Sequence, residues 1–211
     1  MLEVHPPGHA IYGMREFFLH LLTITIGLLI ALGLEASVEA LAHRHQRIEA
    51  EATIRRELDV NRHKIDVAGR GIESELKGLV VVLNYLAARQ QGKPGDLTGA
   101  TINFSEGPLQ DAAWRAAAST GVLSYMDYTA AEKYAVAYKE QDLYETMQQQ
   151  TLDGYLQLGS FIPNGFDPAK DTVTKEQADA ALPIVRQTIA HLQGMADIRL
   201  GALSAYQQAL R

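Results

Sequence analysis

Glu39 and His43 are the first pair of residues whose types and spacing could bind a metal. They are four residues apart, so a helix places a carboxylate and an imidazole on one face. That is half of a helical metal site, but no Glu-x-x-His motif occurs in the chain to supply the other half. A ladder of i, i+4 ion pairs on a solvated helix explains the same spacing. We therefore predict no metal, and Glu39 and His43 are the candidates if one is bound.

His20 is a second residue with chemical potential, because it lies inside an apolar stretch where a polar ring is costly in lipid. Snorkelling to the membrane interface, or pairing with a neighbouring helix, accounts for it. The alternatives are a tetrapyrrole ligand, a metal ligand or a proton-relay group. One histidine does not decide between them, so we predict no cofactor and keep a tetrapyrrole bound through His20 as the exception to test.

Motifs for catalysis are missing from the sequence. There is no cysteine, and G-x-S-x-G, H-E-x-x-H and complete G-x-G-x-x-G patterns do not occur. We therefore predict that the protein is not an enzyme and has no catalytic residues. The formal net charge of −6 also argues against a nucleic-acid partner, because phosphate binding requires a concentrated basic face.

The apolar stretch itself runs from Phe17 to Leu34 and contains no Lys, Arg, Asp or Glu. A helix of about 18 residues rises about 27 Å, which is enough to cross the hydrocarbon layer. A cleaved signal peptide is the alternative, but the preceding segment is long and no clear A-x-A site follows. We therefore predict an uncleaved anchor in a lipid bilayer.

Small residues follow one face of this predicted span. Thr23, Gly27 and Ala31 are spaced four residues apart, and small residues allow two helix backbones to approach closely in a membrane. This face predicts packing against another transmembrane helix, from a second copy or from a foreign subunit.

Orientation follows from the basic residues that flank the span. Arg15 precedes it, whereas four arginines follow it: Arg44, Arg47, Arg55 and Arg56. The positive-inside rule then places the C-terminal region in the cytoplasm. Acidic residues interleaved with these arginines leave a periplasmic location as the alternative.

The remainder of the chain favours helices throughout, so we predict an all-α fold. Its parts are an interfacial tail (1–16), a transmembrane helix (17–35), a helical stalk with the first bundle helix (36–90) and the rest of an antiparallel helical bundle (91–211). The predicted bundle helices cover 54–90, 108–120, 127–161 and 174–211. Gly69 and Gly71 predict a kink or break in the first of them. Pro183 predicts a kink in the last, or a later start near Leu182.

Capping motifs mark the helix starts. Pro108 suits the first position of the second helix. Ser124-x-x-Asp127 or Thr129-x-x-Glu132 has capping-box spacing for the third, and Thr174-x-x-Gln177 has it for the fourth.

Six tyrosines cluster in the second half of the chain, which suggests either the buried rims of a helical bundle or a small-ligand pocket. Trp114 is interpreted as a core anchor. The tyrosines are Tyr125, Tyr128, Tyr134, Tyr138, Tyr144 and Tyr155.

The opening sequence HPPGHAIYGMREFFLHLLTITIGLLIALGLE resembles the start of a group of uncharacterised bacterial single-pass membrane proteins, which carry a short His- and Pro-containing tail and a TITIGLLIALGLE-like anchor. The resemblance covers about the first 45 residues and, weakly, the region from Trp114 to Tyr128. It implies a bacterial inner-membrane protein and brings no activity or site residues with it. The resulting hypothesis is a non-enzymatic accessory subunit of a membrane complex, and the alternative is a membrane-anchored sensor or ligand-binding module.

Overall fold

The computed structural model describes residues 13–100, 107–162 and 173–211, and every regular element in these ranges is helical. The prediction of an all-α chain with a long apolar N-terminal helix is confirmed. The elements are α1 (Met14–Gln90), α2 (Ala112–Thr120), a 3-10 helix (Val122–Tyr125), α3 (Tyr128–Phe161) and α4 (Lys175–Ala209).

Helix α1 is 77 residues long and continues without a break through Gly69 and Gly71. The predicted break is therefore wrong. Gly69 has a different role, because a Cβ atom at this position would overlap the guanidinium group of Arg199 in α4. The missing side chain leaves the space that the Arg199 guanidinium occupies, and α1 stays helical around it.

The chain divides into two compact units, residues 13–48 and Glu49–Arg211. The first unit belongs to α1 apart from Gly13, and its large apolar side chains are exposed. The second unit has a continuous core formed by α1, α3 and α4, with contributions from α2 and the segments beside it. An apolar stripe of α1 lies in this core, and its buried residues are Ile54, Leu58, Ile65, Ile72, Leu79 and Leu86.

Hydrogen bonds in the second unit give the direction of its helices. Glu57 of α1 pairs with Tyr138 of α3, and Glu75 pairs with Tyr155, so these two helices run in the same direction. Helix α4 runs the opposite way, because Arg55 donates to the carbonyl of Leu210 near its end whereas Gln90 donates to Asp179 near its beginning. The fully antiparallel bundle is therefore not confirmed. Short connections favour antiparallel neighbours, but the connection from α1 to α3 is long enough to return.

The starts of α2 and α3 differ from the predicted ones. Helix α2 begins at Ala112, so Pro108 lies in the non-helical segment before it. Helix α3 begins at Tyr128, one residue after the predicted start at 127, and the capping side chain is Asp127, which accepts from the backbone N–H of Ala130. Neither Ser124 nor Thr129 is the N-cap.

Helix α4 begins with the predicted capping box. The hydroxyl of Thr174 accepts from the backbone N–H of Gln177, and the Gln177 side chain accepts from the backbone N–H of Thr174. Pro183 lies inside this helix, so the alternative start near Leu182 is wrong.

Candidate functional site

The apolar stretch of α1 is the most distinctive surface of the first unit. An 18-residue window within it has a mean hydropathy of 2.3, and none of that window is buried in the structure. Its length and composition are sufficient to cross a membrane. Within the described residues, α1 is the one helix with this property.

Thr23, Gly27 and Ala31 lie on this exposed helix, and the surface at Gly27 is open. A Cβ atom built on Gly27 would meet no heavy atom within 4 Å. The hydroxyl of Thr23 donates to the carbonyl of Leu19 at 2.9 Å, so its proton is already satisfied within the helix. The face therefore offers a shallow, apolar contact surface. Packing of another transmembrane helix against it stays a prediction.

Other polar side chains of this unit follow the same pattern as Thr23. Thr25 donates to the carbonyl of Leu21 at 2.8 Å, and Ser37 donates to the carbonyl of Gly33 at 2.7 Å. Such bonds to the preceding turn are common for Ser and Thr in transmembrane helices. These hydroxyl protons therefore do not require a partner helix, and the small-residue shape of the face is the feature that favours one.

His20 is held by its own helix in one ring orientation. Its Nδ1 lies 3.0 Å from the carbonyl oxygen of Glu16, and because a carbonyl only accepts, this hydrogen bond requires the proton on Nδ1. In the neutral ring Nε2 is then the acceptor. The same arrangement orients histidines that ligate metals, where the second ring nitrogen donates to a carbonyl or carboxylate. A tetrapyrrole or metal bound through His20 stays a prediction.

Glu39 and His43 form a loose, solvated pair. The nearest carboxylate oxygen of Glu39 is 3.9 Å from His43 Nε2, and the Glu39 side chain is 67% exposed. Across residues 13–100, 107–162 and 173–211, no group of three or more His, Cys, Asp or Glu side chains is placed to hold a metal ion. The pair fits the ion-pair interpretation.

The second unit contains a buried carboxylate at the start of α2. Glu57 is 7% exposed, and its two oxygens accept from the hydroxyl of Tyr138 at 2.5 Å and from the backbone N–H of Ala113 at 2.9 Å. Asp111, the N-cap residue of α2, makes no capping bond with its own side chain. Glu57 therefore satisfies a helix-start N–H that would otherwise lack a partner. The Trp114 ring stacks on Tyr138 with centroids 5.2 Å apart, as expected for a core anchor.

Asn61 is the centre of a neighbouring amide cluster, which we define as Asn61, Gln141 and Tyr206. The Asn61 side chain accepts from the backbone N–H of Gln110 at 2.9 Å and donates to the carbonyl of the same residue at 2.6 Å. Its amide also donates to Gln141 Oε1 at 2.9 Å, and Tyr206 donates to that oxygen at 2.8 Å. The amide cluster therefore connects α1, α3 and α4 to the segment before α2.

Two further side chains bind the backbone of this segment. Glu145 of α3 accepts from the N–H of Leu109 at 3.1 Å, and Lys64 of α1 donates to the carbonyl of Pro108 at 2.8 Å. Partial burial, with the nearby carboxylates of Asp111 and Asp142, raises the pKa of Glu145 above its ordinary value, although the Leu109 bond opposes the shift. These side chains bind the backbone of the non-helical segment before α2, and this structural role accounts for polar residues at these positions.

The tyrosines divide between the core and the surface. Tyr134, Tyr138, Tyr144 and Tyr155 are buried, whereas Tyr125 and Tyr128 are exposed. Burial is the largest cause that raises the pKa of Tyr138, and its hydrogen bond to Glu57 raises it further; burial also raises the pKa of Tyr206. These phenols are therefore neutral donors at physiological pH.

Tyr144 also lines a cavity of about 490 Å³, together with His63, Lys64, Val67 and Gln148. That volume lies in the range of small-molecule pockets. It is the observation that keeps the ligand-binding alternative in consideration.

Sequence reasoning did not identify the buried polar residues as a group. Asn61 and Glu75 do carry a signal, because each occupies a position in the apolar stripe of α1 where a hydrophobic residue is expected. Glu57 and Gln141 carry no comparable signal, since their partners come from distant segments of the chain.

Comparisons of the chain with family models, with curated proteins and with solved structures give no match.

Proposed function

We propose that the chain is a non-enzymatic accessory subunit of a bacterial membrane protein complex, held to its partner by helix packing inside the membrane. The observation that carries the proposal is the exposed apolar helix with the Thr23, Gly27 and Ala31 face. A helix that served as an anchor alone would need apolar residues but no small face. Its small residues support close packing against a second helix.

The buried polar groups support a structural role for the second unit. Glu57 and the amide cluster are engaged in bonds that hold α2 and the preceding segment to the long helices. Their hydrogen-bonding capacity is used inside the fold, which suits a rigid module that presents a surface. On this proposal the second unit is a helical bundle attached to the membrane through α1.

The test replaces the small face with bulky residues. Gly27→Leu with Ala31→Leu keeps the span apolar, so insertion is retained, while the added side chains prevent close approach. We expect the variant to separate from its partner on a native gel of mild-detergent membranes. Unchanged co-migration contradicts the proposal.

A matched control is available on the opposite side of the helix. Thr25 lies two residues after Thr23 and therefore about 200° around the axis. Thr25→Leu adds apolar bulk away from the proposed contact, so the complex should persist.

Orientation is proposed from the flanking arginines, with the second unit in the cytoplasm of a bacterium and the span in the inner membrane. The absence of native cysteine permits a direct test. A single cysteine at exposed Ser204 should react with an impermeant maleimide only after the cells are opened. Labelling in intact cells would assign the second unit to the periplasm.

The second candidate function is a membrane-anchored ligand-binding or sensor module, favoured by the cavity beside Tyr144. A ligand that binds the folded state raises its thermal stability. A library of small metabolites screened by thermal shift on the full-length protein tests this, with Tyr144→Phe as the variant that should alter the shift.

An absorbance spectrum of the protein from native membranes tests a tetrapyrrole on His20, which would give a Soret band that His20→Ala removes.

A further inference from the structure

A second set of exposed apolar side chains continues along α1 beyond the predicted span. Leu34, Val38, Leu41 and Ile48 are 64%, 70%, 67% and 50% exposed. Charged residues such as Glu35, Glu39, Arg44 and Arg47 surround them, so this part of the helix belongs to the headgroup region and the water beyond it. An apolar stripe on an otherwise charged helix is typical of a surface that packs against another protein segment.

The spacing of the stripe indicates which kind of segment packs against it. With His45 included, successive positions are separated by four, three, four and three residues, which is the spacing of a and d positions in a coiled coil. Val38 and His45 then occupy a, and Leu34, Leu41 and Ile48 occupy d. A β-branched residue at a, with Leu at d, favours two parallel strands.

The same register extends backwards into the membrane. Gly27 falls at d, Ala31 falls at a, and Ile24 falls at the preceding a position. The seam outside the membrane spans only about 22 Å, which is short for an isolated coiled coil. The register continues through Gly27 and Ala31, so the paired helices can stay in contact inside the bilayer as well as in the water beside it.

Charged residues beside the seam fit this register. Arg44 falls at g and Glu49 falls at the following e position, and both side chains are exposed. In a parallel, in-register pair, position g of one helix faces position e of the next heptad on the other. Arg44 of each copy would therefore meet Glu49 of the other, and two-fold symmetry gives this contact twice.

We propose that the juxtamembrane seam, defined as Leu34, Val38, Leu41, His45 and Ile48, packs against the same seam of a second copy of this chain as a parallel two-stranded coiled coil. The parallel orientation depends on the membrane anchoring proposed above, because both copies insert in the same sense. The accessory role does not enter the argument.

Cysteine cross-linking tests the proposal in native membranes, because the chain has no cysteine of its own. Leu41→Cys places a thiol at d, and the matched control Ala36→Cys places one at f, on the outer side of the helix. A disulfide needs Cα atoms about 4.4–6.8 Å apart, which facing d positions reach and f positions do not. Mild oxidation of the full-length variants should yield several-fold more dimer, at twice the chain mass of 23.2 kDa, for Leu41→Cys.

Three results would overturn the proposal. Equal yields at Leu41→Cys and Ala36→Cys would indicate random collision, and a cross-linked product of another mass at Leu41→Cys would identify a foreign helix as the occupant. Absence of any product from both variants would also contradict it, provided that the protein is folded and inserted.

Charge reversal tests the register independently. Arg44→Glu in the Leu41→Cys background should lower the dimer yield, and adding Glu49→Arg should restore it. Failure of this restoration contradicts the parallel in-register pairing. Gly27 and Ala31 belong both to the proposed partner face and to this register, so the Gly27→Leu, Ala31→Leu variant is compared with the Leu41→Cys cross-link. A strong cross-link with no foreign subunit in the native complex would reject the accessory function and keep the dimer. Loss of the cross-link while a foreign subunit stays bound would reject the dimer and keep the accessory function.

Discussion

Gly154 in α3 gives a prediction whose size can be worked from the structure. A Cβ atom at this position would overlap Thr188 Oγ1 and would lie 3.0 Å from the Cβ of Thr188 in α4. Thr188 is 1% exposed, and its hydroxyl donates to the carbonyl of Ile184 at 2.8 Å. A β-branched side chain that is buried and bonded to its own helix has little freedom to move away.

Two opposing effects set the stability change for Gly154→Ala. Alanine raises helix propensity by up to about 1 kcal/mol relative to glycine. Overpacking between the two helices costs about 1–3 kcal/mol. Because the overlap involves the branched Cβ of a buried residue, we expect the second effect to exceed the first, with a net loss of about 1 kcal/mol in the free energy of unfolding.

Gly159 in the same helix is the matched control, because a Cβ atom there would meet nothing within 4 Å. Gly159→Ala should therefore show the propensity effect alone and raise the free energy of unfolding by up to about 1 kcal/mol. Urea unfolding of both full-length variants in the same detergent, followed by circular dichroism at 222 nm, a helix band, compares them as a pair. If both substitutions stabilise the protein equally, the close α3–α4 contact at Gly154 is refuted.

Three further predictions concern the buried polar groups. The pKa of Glu145 is raised in the folded protein, so its charge opposes folding once the pH rises through the ordinary value of 4.5. Glu145→Gln should therefore increase the melting temperature at pH 7. This advantage should disappear below about pH 4, where Glu145 is also neutral in the unfolded chain. Asn61→Ala leaves the backbone N–H of Gln110 without its partner and should cost about 1–3 kcal/mol, with faster amide exchange measured at Leu109 and Gln110 by mass spectrometry. The pKa of Tyr138 is raised in the folded protein, so the unfolded chain loses this phenol proton more readily. The free energy of unfolding should therefore fall as the pH rises above about 10, and Tyr138→Phe should make this fall less steep.

The long helices were predictable because their signals are local. The apolar stretch, the α1 stripe from Ile54 to Leu86 and the Thr174 capping box are each visible within a short window of sequence. Periodicity reports which face of a helix is buried, and a capping box reports where a helix begins. These features depend on neighbours along the chain.

The errors occurred where distant residues decide the outcome. Gly69 favours a break by propensity, but α1 continues through it, and the Arg199 guanidinium of α4 lies where a side chain at this position would be. The start of α2 depends on Glu57, which accepts from the backbone N–H of Ala113 and lies 56 residues before it in the sequence. Helix direction likewise depends on pairings such as Glu57 with Tyr138, and no local pattern encodes them.

The shared direction of α1 and α3 has a consequence for the order of folding. The bonds that join these helices connect residues 80 or 81 positions apart, whereas the tight α3–α4 contact joins Gly154 to Thr188, much closer in sequence. Contacts between distant residues carry a larger loop-closure entropy and form more slowly. We therefore expect α3 and α4 to associate first as a helical hairpin. During synthesis, the packed part of α1 therefore acquires its core partners only after α3 and α4 have been made.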